Sequence, residues 1–183
     1  YIVNESRNTM TFLIPSNVTY IGERWISSKI SGNSSKGSLI IKVIGGSGLY
    51  TGKGLFERCS ADTIDLRNFD TSNMVSMREM FKDTLVNNLI LHNFNTKNVE
   101  DMGNMFSHCV TKHLDLRHFD VNNVETFDSM FEIATAVNIN LSNWKVKNSY
   151  GFNLMFFCCK SKKIILNDFL DESVKIDISD NSS

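Results

Sequence analysis

Phe56, Phe81, Phe106, Phe131 and Phe156 recur every 25 residues, and Phe69, Phe94, Phe119, Trp144 and Phe169 keep the same period. Self-similarity at about 20 to 50 residues marks chains whose units bury their apolar faces on one another, as solenoids and arrays do. The period constrains the fold before any motif is considered. It points away from an enzyme and toward a repeat scaffold.

Aligned at the period, the unit from Ile64 reads Ile64 and Leu66, Phe69, Asn73, Met74, Met77, Met80, Phe81 and Thr84. The next units repeat it through Leu89 and Leu91 to Cys109, Leu114 and Leu116 to Ala134, and Ile139 and Leu141 to Cys159. A fifth begins at Ile164 and Leu166, keeps Phe169 and Val174, and fades into polar residues. A degenerate leading unit runs from Leu39 through Phe56 to Cys59. The apolar pair at i and i+2 has the strand period, with the residue between its members facing the other way. Behind each Asn, apolar residues return at i, i+3 and i+6 or i+7, as in Val99, Met102, Met105 and Phe106. That spacing predicts one short amphipathic helix per coil, N-capped by the Asn. One coil alone cannot offset the entropy of ordering about 25 residues with roughly seven buried side chains. Stacked coils can, so the expected fold is α/β: a short right-handed solenoid with a parallel sheet of short strands along one side. The expected organisation is an N-terminal cap over 1–38, a solenoid of about five coils over 39–175, and a polar tail over 176–183.

The 183 residues carry 19 Lys and Arg against 20 Asp and Glu, a net charge of −1, so no global field recruits nucleic acid or anionic lipid. The longest apolar stretches, Leu39 to Ile44 and Leu154 to Cys159, are far short of a membrane-spanning helix, and no transmembrane segment is expected. The chain opens at Tyr1 with no initiator Met, basic segment or apolar leader, as expected of a mature product or an excised fragment.

Several residues that invite a chemical reading fall into repeat slots. Seven of the eight Met occupy buried positions, which speaks for packing over metal or haem ligation. Cys59, Cys109 and Cys159 share one slot two units apart, too far for disulfides at strand spacing and without a CxxC for zinc, so separate buried thiols are expected. Asn73, Asn98, Asn123 and Asn148 share a register that suits capping or turn hydrogen bonds. The Gly-rich stretch from Gly45 to Gly54 fails as a phosphate loop: Ser47 stands where the first Gly should be, and Gly54 follows Lys53 where Ser or Thr should hold magnesium. It is expected to be a flexible loop in place of the first coil's turn and early helix. No catalytic, metal-binding or cofactor-binding constellation emerges.

The consecutive units IDLRNFDTSNMVSMREMFKD and LILHNFNTKNVEDMGNMFSHC, between Ile64 and Cys109, resemble BspA-type leucine-rich repeats, 25-residue units of bacterial surface proteins and lipoproteins. The likeness rests on the apolar-x-Leu pair, the N-F-[DN]-T-x-N-[MV] run and the closing M-F, and covers roughly residues 39 to 175. Upstream, IPSNVTYIG at Ile14 to Gly22 is similar to a related repeat of the same proteins, with Trp25 and Ile26 where that pattern has Ala-Phe. The resemblance implies a leucine-rich-repeat-like solenoid displayed at the cell surface for adhesion or host contact, with no catalytic residues to carry over.

The free surface is the outward side of the strands, since sheets of solenoids present their exposed residues in aligned columns. The candidate partner-binding residues are Asp65, Arg67, Ile90, His92, His113, Asp115, Arg117 and Asn140. The expected role is a non-catalytic module that binds a protein or other macromolecule, extracellular or at a cell surface, and monomeric as a free domain. The alternative is a structural subunit of a virion or other large assembly.

Overall fold

In the computed structural model, which describes residues 2–6, 8–30, 38–147, 151–167 and 169, the first member of each apolar pair lies in a strand at the expected 25-residue register, and the second, except Leu66, follows the strand's end. Strands β1 (Ile2–Ser6), β2 (Thr9–Ile14), β3 (Ile40–Gly45), β4 (Ser60–Phe69) and β5 (Leu85–Ile90) make one sheet, and β6 (His113–Asp115), β7 (Asn138–Asn140) and β8 (Lys163–Ile165) make a second. Apart from the antiparallel β1–β2 hairpin, every pairing is parallel. Ile64 stands beside Leu89, and Leu114 beside Ile139, which stands beside Ile164. The fold is a parallel-strand solenoid of about five coils.

The Phe columns are the core of this stack. Phe56, Phe81, Phe106 and Phe131 are fully buried, and the rings from Phe56 to Phe156 follow one another at centroid distances of 5.2, 5.4, 5.7 and 5.4 Å, with planes 13° apart or less. Those distances lie just above the 4.7–4.9 Å strand spacing, so each ring rests on its neighbour in an offset stack. Phe69, Phe94, Phe119, Trp144 and Phe169 form the second column at 5.9 to 6.5 Å. Met74, Met77, Met80, Met102, Met105 and Met130 fill the space between them without exposure.

The expected helix in each coil is not formed. The sole helix among the described residues is α1 (Trp25–Ile30), which lies before the repeats. From Met77 onward, alternate N–H groups leave the coil: Met77 donates to Asp101 O, Glu79 to Gly103 O, Phe81 to Met105 O and Asp83 to Ser107 O, at 2.8 to 3.0 Å. The N–H groups between them close three-residue turns, Met80 to Met77 O, Lys82 to Glu79 O and Thr84 to Phe81 O. Glu79 and Asp83 take positive φ (59° and 55°), which a continuous α-helix does not allow. Their period mates Asn104 and His108, and Ser129 and Ile133, do the same. A helix satisfies its N–H groups internally, whereas here half of them stitch one coil to the next. A row of three-residue turns returns a side chain to the interior every three or four residues, so its apolar pattern coincides with the helical one.

The register-matched Asn serve the same stitching and cap no helix. Asn73, Asn98 and Asn123 donate through Nδ2 to Ser47 O, Ser72 O and Lys97 O of the preceding coil at 2.7 to 2.8 Å. Asn148, Val174 and the polar end at 176–183 lie outside the described residues. The Gly-rich stretch is a regular first coil and not an open loop. Gly52 and Gly54 donate to Ser76 O and Arg78 O, in step with the later coils. Gly46, at φ +97°, brings its backbone so close to the Phe69 ring that a Cβ there would sit 2.6 Å from it.

The first coil is joined to the segment before it by β2, which pairs with β3, and by Arg24. Arg24 Nη2 donates to the buried Glu57 Oε1 at 2.8 Å, and Arg24 N–H donates to Gly54 O. Cys59 and Cys109 are buried free thiols that desolvation pushes up to about 12; Cys159 is half-buried and Cys158 exposed, and both are free. No helix among the described residues is long and apolar enough to cross a membrane.

Replacing Phe106 by Ala removes the central ring of its stack and should cost about 3–5 kcal/mol in denaturant unfolding. A loss below about 1 kcal/mol would show that the column does not hold the coils together.

Candidate functional site

The outward strand positions combine charge with internal compensation. Arg67 donates from Nε and Nη2 to Asp65 Oδ1 and Oδ2 at 2.9 and 2.6 Å, and Arg117 does the same to Asp115 at 2.8 and 2.6 Å. Asp65 and Arg67 lie two residues apart on β4 and share a face, while Arg117 stands in the turn just after β6 and reaches back to Asp115; in both pairs the fork of the guanidinium meets both carboxylate oxygens. The hydrogen bonds from the Arg side chain hold Asp65 and Asp115 below the usual carboxylate range, and the Arg partners rise correspondingly. Asn140 imitates this arrangement without charge, its Oδ1 accepting from Ser142 N–H at 3.1 Å and Ser142 Oγ at 2.7 Å. Ile90 and His92, which occupy the same two slots in the coil between the ion pairs, have no such pairing: Ile90 is half-buried and His92 exposed. The candidate face is thus a set of neutral pairs flanking an apolar and imidazole-bearing coil.

At that coil the strand ladder opens. β5 and β6 belong to separate sheets. Leu116 N–H donates to Asn140 O at 3.0 Å and Leu141 N–H to Ile165 O at 2.9 Å, but the equivalent bond from Leu91 N–H to Asp115 O is missing. Nearby, the bond from Lys112 N–H to Asn87 O is stretched to 3.4 Å, against 2.8 Å for Val137 N–H to Lys112 O. A notch of about 370 Å³ results, lined by Leu89, Leu91, Leu114, Asp115 and three imidazoles, those of His92, His113 and His118.

His118, which sequence reasoning left out of the candidate face, spans the opening. Its Nε2 lies 2.8 Å from Leu91 O, a carbonyl that can only accept, so the proton is on Nε2. Asn93, in the same slot one coil earlier, reaches Arg67 O with its carboxamide at 2.9 Å. The imidazole is longer and bonds one backbone position further back; its ring also rests edge-on against Phe119 at 5.0 Å. The signal available in the sequence was the single His in a column that holds Asn68, Asn93, Asn143 and Asp168. His113 sits on the far side of the notch, its Nδ1 3.4 Å from the Asn138 amide nitrogen. The imidazoles and Asp115 do not converge: no group of three or more His, Cys, Asp or Glu among the described residues could hold a metal ion.

Of the eight candidate residues, the structure brings His92, His113 and Asp115 together at the notch, while Asp65, Arg67, Ile90 and Asn140 lie on strands outside its lining and Arg117 in the turn after β6. Compared with known proteins, residues 51–169 match the family described as "Mycoplasma protein of unknown function, DUF285". No curated protein and no solved structure matches the chain.

The exposed ion pair Asp115–Arg117 contributes little to folding, because solvent screens it. Replacing both residues by Ala should shift unfolding free energy by no more than about 0.5 kcal/mol at neutral pH. Because the folded carboxyl is depressed, whatever the pair contributes is present above the ordinary carboxylate pKa and fades as pH falls through the folded value. Collapse of the double variant at neutral pH would contradict this placement.

Proposed function

We propose, from the premise that the chain belongs to the DUF285 family, that it is a non-catalytic repeat scaffold whose strand face binds another macromolecule. The observation that carries this reading is the division of labour among the repeat slots. Aromatic, Met and Asn slots are committed to stacking and stitching, and chemical variety is left to the outward strand columns. There Ile90 and His92 interrupt a row of self-neutralised pairs, so a partner meets little charge to desolvate beside them. Burial of unpaired charge is what opposes most contact surfaces, and this face has already compensated its own.

The resemblance of residues 39–175 to BspA-type leucine-rich repeats supports a finer version: a leucine-rich-repeat-like module displayed outside the cell, used in adhesion or host contact. A second reading, a structural subunit of a virion or other large assembly, draws on one specific observation. Leu154, Phe157 and Leu166 on the last described coil are 40%, 46% and 44% exposed, as residues that pack on a neighbour would be in the isolated chain.

Light scattering on the eluting protein separates the two. The binding module is expected to run as a 20.8 kDa monomer whose affinity for a partner found by array screening falls at least tenfold when Ile90 and His92 are both changed to Asp. Concentration-independent association through the Phe157 end, abolished by Phe157→Asp, would favour the assembly subunit instead.

A further inference from the structure

The stitching between coils stops at the last coil described. In the coil before it, the acceptor of each turn-row N–H stands 24 residues further on: Phe127 donates to Gly151 O, Ser129 to Asn153 O and Phe131 to Met155 O, at 2.6 to 2.8 Å. Their period mates Phe152, Leu154 and Phe156 sit in the same three-residue turns, with Met155 N–H on Phe152 O and Phe157 N–H on Leu154 O, but no described residue accepts their own N–H groups. The side chains show the same want of cover. Phe156 is half-buried where Phe56, Phe81, Phe106 and Phe131 are fully buried, and Phe152 is half-buried where Met77, Met102 and Phe127 are buried. A row of backbone donors beside an apolar core calls for a row of carbonyls. A second copy meeting this end through a two-fold axis would set donors against donors, and the opposite end of the solenoid is already joined to β2 and Arg24.

The occupant that fits is in the same chain. Twenty-four residues on from Phe152, Leu154 and Phe156 stand Ile176, Ile178 and Asp180. The charges match as well. Between Ile133 and Asn167 the chain has Lys145, Lys147, Lys160, Lys162 and Lys163, all exposed, and no Asp or Glu, whereas 170–183 holds Asp171, Glu172, Asp177 and Asp180 against Lys175 alone. One period on from Lys147 stands Glu172, and stacked coils bring period mates to about 4.8 Å, where opposite charges pair. Val174 keeps the slot of the buried Val99 and Val124. Asp177 and Asn181 fall in the slots of Met102 and Phe106, which suits an outermost rung with one side in water and no inner coil.

We propose that residues 170–182, which lie outside the described residues, dock on the last coil of their own chain as the closing rung of the solenoid. The carbonyls of Ile176, Ile178 and Asp180 take the N–H groups of Phe152, Leu154 and Phe156, and Glu172 faces Lys147. The segment that composition presents as a free polar tail is then a cap. It closes the row of donors through which a further coil or a neighbouring subunit would add, and it is independent of the strand-face reading.

The test is amide hydrogen exchange in the full ¹⁵N-labelled chain, followed by NMR. Leu154 and Phe156 are expected to exchange within about tenfold of Ser129 and Phe131, whose acceptors are in place. Glu172→Lys, which sets like charges side by side, should speed both by about two- to fivefold, and combining it with Lys147→Glu should restore them. Exchange of Leu154 and Phe156 at the rate of an unfolded chain would overturn the proposal. So would protection that disappears on dilution, because a second copy would then supply the carbonyls. Protection that ignores Glu172→Lys, or that the charge swap fails to restore, would overturn the pairing with Lys147 and the register with it. Should Glu172→Lys unfold the chain, Ser129 and Phe131 would lose their protection too, and the unsubstituted chain still decides the question.

Discussion

Everything in this chain depends on the backbone hydrogen bonds that run from each coil to the next at a fixed register. In the strand column they make a parallel ladder, and in the turn column they take every second N–H, as from Phe81 to Met105 O and from Phe106 to Met130 O. Once that register is set, identical slots lie on top of one another and a side chain is selected for its fit to its own copy. Phe on Phe stacks with nearly parallel rings, and Asn on backbone carbonyl bridges the coils at the edge. A polar ladder of this kind is also specific: a slip of one residue would put the Phe column where the outward residues stand. Stability is then a nearest-neighbour property, each coil held by the two it touches.

Much of this was legible from the period. The strand pairs, the two aromatic columns and the Met filler follow from spacing alone, because burial repeats with the coil and leaves its mark on residue type. The helix did not follow. Val99, Met102, Met105 and Phe106 satisfy a helical repeat and a row of three-residue turns equally well. The difference lies in where the N–H groups go, and that depends on a neighbouring coil about 25 residues away, which no local propensity contains. Asn98 illustrates the same blindness: an Asn before an apolar run reads as a helix cap, yet its carboxamide bonds a carbonyl 26 residues back. In the Gly-rich stretch, the glycines that suggested a loose loop mark close approaches, Gly46 to the Phe69 ring and Gly45 and Gly48 to the backbone of Ile14 and Ser16.

The candidate face was legible in part. Alternation assigned Asp65, Arg67, Asp115 and Arg117 to the outward side, but their reach across one intervening residue to each other depends on rotamers, and it turns a charged patch into neutral pairs. The notch was not legible at all from the apolar slots, since Leu89 and Leu91 conform to the repeat as well as Ile139 and Leu141 do. Its trace is His118, in a column that otherwise holds Asn and, at 168, Asp.

The central claim, that coils are stitched to one another and not built from internal helices, is tested most directly by scalar couplings across hydrogen bonds in the ¹⁵N,¹³C-labelled chain. The account predicts couplings from the amide nitrogens of Glu79, Phe81 and Asp83 to the carbonyl carbons of Gly103, Met105 and Ser107, and from Leu116 to Asn140, with none from Leu91 to Asp115. Couplings from Phe81 to Met77 and from Asp83 to Glu79, the four-residue pattern of a helix, would contradict it.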